Sequence, residues 1–424
     1  MSHGGVTDIS LPERFTLRLD LSRAATPRLL AKRPVHRWFW FPHSYSPELV
    51  EALLEKWGLA EGSWLLDPFV GAGTTLRVAQ ELGHAAVGTD LSPLSVLVSN
   101  VKVRPYGRAD IVAALNVLQQ DWQQRRKLAA AAPWVTSERL QRAFTPAELQ
   151  ALTHLRGGIL ALDEPVRNFF LVALLSILSE FSRAVADGGW FRWVERPERA
   201  TEIAPRLWAQ VNSMLDDLAA DSQTPPKGTG EARLLDARRL EALSPLQFDG
   251  LITSPPYPNR HDYSRVFQLE LLTLGESESH IFDLRHAALR SHVEARPELQ
   301  ALQPALAQYA PPDILNAYLE RLPTTTDKRI PAMIKGYFED MYLVLRVAQA
   351  VLKPSARTAW VVGNVRHAGV LFPVDEILAA IGESLGYVHT ESWVLRLRGN
   401  SAQQMGKYGR EPSRETVVML KRSA

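Results

Sequence analysis

The sequence predicts an α/β fold, a mostly parallel sheet with helices on both faces and a helical insertion between two halves. Three stretches carry this expectation. Residues 65–75, Leu-Leu-Asp-Pro-Phe-Val-Gly-Ala-Gly-Thr-Thr, read as a strand ending at Asp67, a glycine-bearing turn, and a helix beginning near Thr74 or Thr75. One helix later, residues 86–90 form a second strand, ending in the carboxylate of Asp90. Far downstream, the apolar run 248–252 reads as a buried strand, and Ser254-Pro255-Pro256-Tyr257 follows directly. In open sheets built this way, ligands sit beyond the carboxyl ends of the strands.

The 424 residues suffice for one large domain with insertions or two modest ones. The net charge is only +2, but it is unevenly spread. Residues 1–45 hold seven Lys/Arg against three Asp/Glu, and residues 396–424 hold seven against two. Basic ends on an acidic body suit a phosphate-facing surface built from both termini, or solvated tails. With no cysteine, disulfides, Cys-ligated zinc and a thiol nucleophile are excluded. Residues 1–10 lack the apolar core of a signal peptide, and the longest apolar stretch, 169–178, is too short to span a bilayer. The expectation is a soluble cytoplasmic protein, with no membrane contact and no metal.

Taken in order, residues 1–45 are a basic arm. Within it, residues 15–21 alternate as a short strand does, and four consecutive aromatics, Trp38 to Phe41, suit a core plug. Residues 46–105 are the first half of the sheet. Ser46-Pro47 starts a helix, with Ser as N-cap and Pro at the first helical position, and Gly58 ends it. Gly71 and Gly73 let the backbone approach a ligand closely and take positive φ. The carboxylate of Asp90, with Leu91 after it, is placed to accept hydrogen bonds from ribose hydroxyls.

Residues 106–229 look helical almost throughout and show no evident chemistry. The aromatic loop 187–193 packs its Trp residues on these helices or touches nucleic acid. Residues 230–424 form the second half. A short strand over 231–235 ends at Asp236-Ala237, where the acid is positioned to cap a helix over 238–243. After 248–252 two prolines stop the ladder, since they lack an N–H and fix φ, and Pro256 holds Pro255 extended. The result is a stiff loop with outward carbonyls. Ser254 adds a hydroxyl, and Tyr257 a face that stacks on a ring. Such a loop can hold a planar amino group and sandwich the ring that bears it. Residues 258–335, polar and then rich in Arg, His and Pro, are a candidate recognition segment or a solvated face. Further elements are expected over 336–352, 358–363, 374–385, 388–397 and 416–420. The loop 398–410 is basic, glycine-rich and amide-rich.

The string Asp67-Pro68-Phe69-Val70-Gly71-Ala72-Gly73-Thr74, with Asp90 and Ser254-Pro255-Pro256-Tyr257, resembles the S-adenosylmethionine-dependent DNA amino-methyltransferases. The resemblance covers about 36–105 and 230–424. A lone Gly-x-Gly is a weak signal; the two motifs together are specific. The resemblance implies a seven-stranded Rossmann-like sheet with an antiparallel terminal strand. It implies S-adenosyl-L-methionine as cofactor, double-stranded DNA as substrate, and a restriction–modification setting with a cognate endonuclease. Phe41 would close over the methionine end of the cofactor. Asp67, the Gly71–Gly73 turn and the neighbouring Pro68, Phe69, Thr74 and Thr75 would hold its methionine part. Asp90 and Leu91 would hold the ribose, and Asp236 and Ala237 the adenine. The catalytic loop would be Ser254, Pro255, Pro256 and Tyr257, and the DNA contacts Arg260, Lys407, Arg410 and Arg414. The Ser form of the tetrapeptide and the 398–410 loop look like the cytosine-N4 branch. Adenine-N6 or RNA amino-methylation, and a non-enzymatic nucleic-acid-binding module, are the alternatives. Carbon 5 of cytosine is excluded on chemical grounds, because that reaction needs a covalent nucleophile, usually a cysteine. An exocyclic amine attacking a sulfonium needs no strong base, so His261 and Asp262 read as pocket walls or DNA contacts.

Overall fold

A computed structural model describes residues 11–125, 137–187, 190–194, 202–223, 225–259, 262–398 and 412–423. Its strands are β1 (Phe15–Leu17), β2 (Trp64–Asp67), β3 (Ala85–Asp90), β4 (Ala184–Asp187), β5 (Trp190–Trp193), β6 (Thr229–Leu234), β7 (Phe248–Thr253), β8 (Leu352–Gly363), β9 (Val365–His367), β10 (Val370–Phe372), β11 (Tyr387–Arg398) and β12 (Ser413–Arg422). Eight of them form one sheet, in the order β1-β11-β12-β8-β7-β2-β3-β6. Every neighbouring pair is parallel except the two made by β12, which runs antiparallel to β11 and to β8. The seven expected strands are present, and β1 adds an eighth at the edge, in register from Phe15 opposite Ser392 to Leu17 opposite Val394.

Alternation along the strands divides the core between the two faces, as the pleat requires. Leu65, Ile252, Ala359, Val361, Val417 and Met419 pack on one face with the helices Pro47–Trp57 and Thr74–Glu81. Leu66, Leu251, Trp360, Val362, Val418 and Leu420 pack on the other with the helices Arg329–Val351 and Val374–Ser384. The central strands β2, β7, β8 and β12 are buried on both sides, which is why the sequence reads there as short apolar runs, while the edge strands β1 and β6 are largely exposed.

A third core joins the helices between β3 and β6 to the aromatic segment and to the chain after β7. Val35, Trp38, Phe39 and Phe41 pack there with Phe169, Leu207, Val211, Leu269 and Ile281. The helix Val166–Phe181 is apolar nearly all round and correspondingly buried. The helix Ile203–Gln223 supplies a polar anchor, Asp217, whose side chain is 3% exposed. Its carboxylate accepts from the Val35 N–H at 3.1 Å, Arg37 Nε at 3.0 Å and Trp38 Nε1 at 3.0 Å. Val35 has φ +62°, a conformation that a β-branched residue rarely adopts, and the His36 N–H closes the turn on the Pro34 carbonyl at 2.6 Å. The anchor thus fixes a strained turn that aims the aromatics at the strand ends.

Replacing Asp217 with Ala leaves the Val35 and Trp38 N–H groups buried without an acceptor. The expected loss is about 3 kcal/mol, read as a lower urea midpoint. Unchanged stability would show that the turn holds itself.

Candidate active site

The carboxyl ends of the central strands open into a cavity of about 590 Å3. Phe41, Pro68, Phe69, Gly71, Thr74, Asp90, Leu91, Asp236, Ala237 and all of Ser254–Tyr257 line it. Asp67, Gly73 and Thr75 do not.

The glycine turn explains part of this. Gly71 and Gly73 have φ of +47° and +75°. The Gly71 N–H donates to Asp90 Oδ2 at 3.1 Å, and Asp90 Oδ1 accepts from the Ser92 N–H at 2.8 Å. Burial raises the Asp90 carboxyl, and these backbone donors oppose the shift. A Cβ at Gly73 would come within 2.8 Å of Ser99 Oγ, so this glycine serves the packing of the turn on the next helix.

Asp67 lies beneath the turn. Its carboxylate accepts from Thr253 Oγ1 at 2.6 Å, the Phe69 N–H at 3.1 Å and the Tyr45 hydroxyl at 3.3 Å. The Tyr45 hydroxyl lies against that of Thr75, which donates to the Ile252 carbonyl at 3.3 Å. The network joins the end of β2, the end of β7 and the segment after the aromatics. Burial pushes the Asp67 carboxyl up to about 6.

The aromatic run divides its work. Trp38 and Phe39 are core; Trp40 is 50% exposed at the cavity. The Phe41 ring lies 4.6 Å from that of Phe267. Lys102, fully buried, donates to the Ala72 carbonyl at 3.0 Å and the Phe39 carbonyl at 3.5 Å, bolting this wall to the glycine turn. Burial pulls its ammonium down to about 7.

Asp236 accepts from the Arg238 N–H at 2.9 Å, capping the helical segment after β6, and pairs with the Arg238 guanidinium at 2.7 Å. It serves as cap and cavity wall at once.

On the target side, the Ser254 hydroxyl donates to the Val361 carbonyl at 3.1 Å. Its proton is committed to β8, which leaves its oxygen an acceptor toward the cavity. The Tyr257 hydroxyl donates to Glu415 Oε1 at 3.2 Å. Its ring lies on Gly363, where a Cβ would come within 2.8 Å of Tyr257 Cε2. Glu415, 3% exposed, is paired with Arg396 across β11 and β12, and both line the cavity. Sequence reasoning missed Gly363, Arg396 and Glu415. The one available signal was a carboxylate heading the apolar run 416–420.

Arg260, Lys407 and Arg410 lie outside the described residues. Arg414 turns into the fold, paired with Asp375 at 2.9 Å and Glu376 at 2.5 Å, because the fully buried Asp375 carboxylate needs a cation. Among the described residues, no group of His, Asp or Glu is arranged to hold a metal ion, and no helix is long and apolar enough to cross a membrane.

Residues 25–99 match the N6/N4 family described as DNA methylase. The chain is 29% identical to the type II methyltransferase M.BsoBI of Geobacillus stearothermophilus, over 91% of its own length and 85% of that protein. It is 28% identical to the type II methyltransferase M.AvaI of Anabaena variabilis, over 97% and 92% of the two chains. With the type II methyltransferase M.MvaI of Kocuria varians the identity is 20%, over 92% and 91%.

The Asp67 carboxyl titrates near 6 in the fold against 3.8 when unfolded. The native state therefore binds this proton more tightly, and this group makes stability fall as pH rises from about 4 to about 6. Asp67→Asn should remove that fall, measured as the urea midpoint across the range. An identical pH profile in the variant would place the titration elsewhere.

Proposed function

We propose that this protein is an S-adenosylmethionine-dependent DNA methyltransferase acting on an exocyclic amine, of the type found in restriction–modification systems. The amine in this reading is N4 of cytosine in double-stranded DNA. The observation that carries it is that the Ser254–Tyr257 loop and the Gly71–Asp90 turn share one cavity. The family match and the type II methyltransferases similar to this chain support DNA as the substrate.

The lining suits the cofactor. Asp90 and Asp236 follow from adjacent strands, β3 and β6, and present acceptors for ribose hydroxyls and an adenine amino group. Each carboxylate has about four lone-pair sites, so the bonds already made leave acceptors over. Phe41, Phe69, Leu91 and Leu235 supply apolar wall. S-adenosylmethionine, when bound, supplies an electrophilic methyl group on a sulfonium.

The chain's own residues prepare the other reactant. The target base leaves the duplex to reach the cavity. Ser254 Oγ accepts one amino hydrogen, and the Pro255 carbonyl, held extended by Pro256, accepts the other. Two acceptors on the amino group draw its lone pair out of conjugation with the ring. Tyr257, braced by Gly363 and Glu415, stacks on the base. The work is positioning, with no acid–base residue required. Arg260, Lys407 and Arg410 enter as DNA contacts by charge and chain position.

Duplex DNA treated with the protein and methyl-labelled cofactor should yield labelled N4-methylcytosine on nucleoside mass spectrometry. Ser254→Ala and Tyr257→Ala should lose transfer while cofactor binding stays nearly intact. Label in N6-methyladenine would reassign the base, and no label in DNA would sink the reading.

Asp90→Ala should act on the cofactor first. Loss of a hydrogen bond to a charged acceptor costs about 1.5–3 kcal/mol, roughly tenfold or more in Kd. An unchanged Kd by isothermal titration would move the ribose contact elsewhere.

A further inference from the structure

We propose that Arg396 reads the target base through its two Nη groups and that its geometry selects cytosine over adenine. This rests on the reading that Ser254–Tyr257 holds an exocyclic amine.

Arg396 lies on β11, opposite Glu415 of β12 in the sheet register. Its Nε pairs with the Glu415 carboxylate, which also accepts from the Tyr257 hydroxyl at 3.2 Å. The guanidinium is thereby drawn from the flank of the sheet toward the catalytic loop. Nη1 and Nη2 have no partner among the described residues, and Arg396 lines the same cavity as Ser254.

Strand order sets the span. Ser254 follows β7, and β8, β12 and β11 come next in the sheet. Three strand steps of about 4.8 Å separate the two backbones by roughly 14 Å. Both residues line the one cavity, so a base held there is met by the serine and the arginine at different points of its edge.

The chemistry then discriminates. Next to its amino group, cytosine presents N3 and O2, two adjacent acceptors. Adenine presents N1 alone beside its amino group, with a C–H beyond it. A guanidinium donates two parallel N–H bonds in a fixed fork, which matches the first edge and leaves a donor unpaired against the second. An unpaired polar group in a closed pocket is what gives large discrimination. Glu415 holds both the fork and the Tyr257 hydroxyl, so edge and face of the base are located from one carboxylate.

The test compares wild type, Arg396→Ala and Arg396→Lys in labelled methyl transfer to duplex DNA, with cofactor Kd, DNA Kd and Tm measured alongside. In Arg396→Ala, kcat/KM for N4-methylcytosine should fall about 10- to 100-fold. Cofactor Kd and DNA Kd should hold. Arg396→Lys should recover only part, because an ammonium is a single point donor. If Arg396→Ala melts early, pairing it with Glu415→Gln removes the stranded carboxylate, and the double variant is read against Glu415→Gln alone, because Glu415 also holds the Tyr257 hydroxyl. An unimpaired Arg396→Ala overturns the proposal. So does a loss carried wholly by weaker DNA binding with a shallower salt dependence, which marks a phosphate contact. Wild-type label in N6-methyladenine, or none in DNA, overturns this proposal together with the reading beneath it. The wild type alone therefore tells the two failures apart.

Discussion

The buried carboxylate of Asp67 is the constraint on which the site depends. It closes β2 and at the same time accepts from Thr253, the residue before the Ser254 loop, at 2.6 Å. Glycine turn and proline loop come from chain segments far apart in sequence, and this one group fixes their separation. A carboxyl so placed carries the cost of desolvation, visible in its raised affinity for a proton. Three hydrogen-bond donors, from Thr253, Phe69 and Tyr45, offset that cost. The arrangement works from under the cavity, so it holds the two walls without occupying either.

The helices between β3 and β6 support the aromatic wall from behind; of their described residues only Ser95 lines the cavity. Their contribution passes through Asp217 to the aromatic segment. Lys102 ties the same segment to Ala72 from the other side. Phe41 is thus located by two buried charges of opposite sign, each satisfied by short-range donors or acceptors. That division explains why a large helical block can carry no recognisable motif and still shape the site.

How much was legible in the sequence follows from how local each determinant is. Strand, turn and helix around Gly71 are encoded within a dozen residues, and so is the proline stop after Thr253. The α/β sheet could therefore be read directly, down to the antiparallel last strand. Asp67 was assigned to the cofactor through the family resemblance; its partner Thr253 stands 186 residues away, and no local pattern reveals that bond. Arg414 was expected to contact DNA, and its ion pairs were hidden for the same reason, since Asp375 and Glu376 are 39 and 38 residues upstream. In Trp38 to Phe41, four aromatics in a row gave no phase. The turn at Val35 sets it, leaving Trp40 half exposed and Phe41 buried, both at the cavity. Gly363, Arg396 and Glu415 come together only through strand register, which composition and spacing do not carry.

The placement of β12 has a consequence for how the molecule is made. This strand follows β11 in the chain but sits between β11 and β8 in the sheet. On the ribosome, the Gly71 turn and the Ser254 loop emerge long before it, while β8 and β11 still carry open edges. Until β12 slots in, Tyr257 has its backing from Gly363 but not the carboxylate that holds its hydroxyl. A nascent chain can therefore form the wall around the Gly71 turn before the wall around Tyr257 is complete. The wall around the Tyr257 hydroxyl is therefore complete only once β12, the last strand of the chain, is in place.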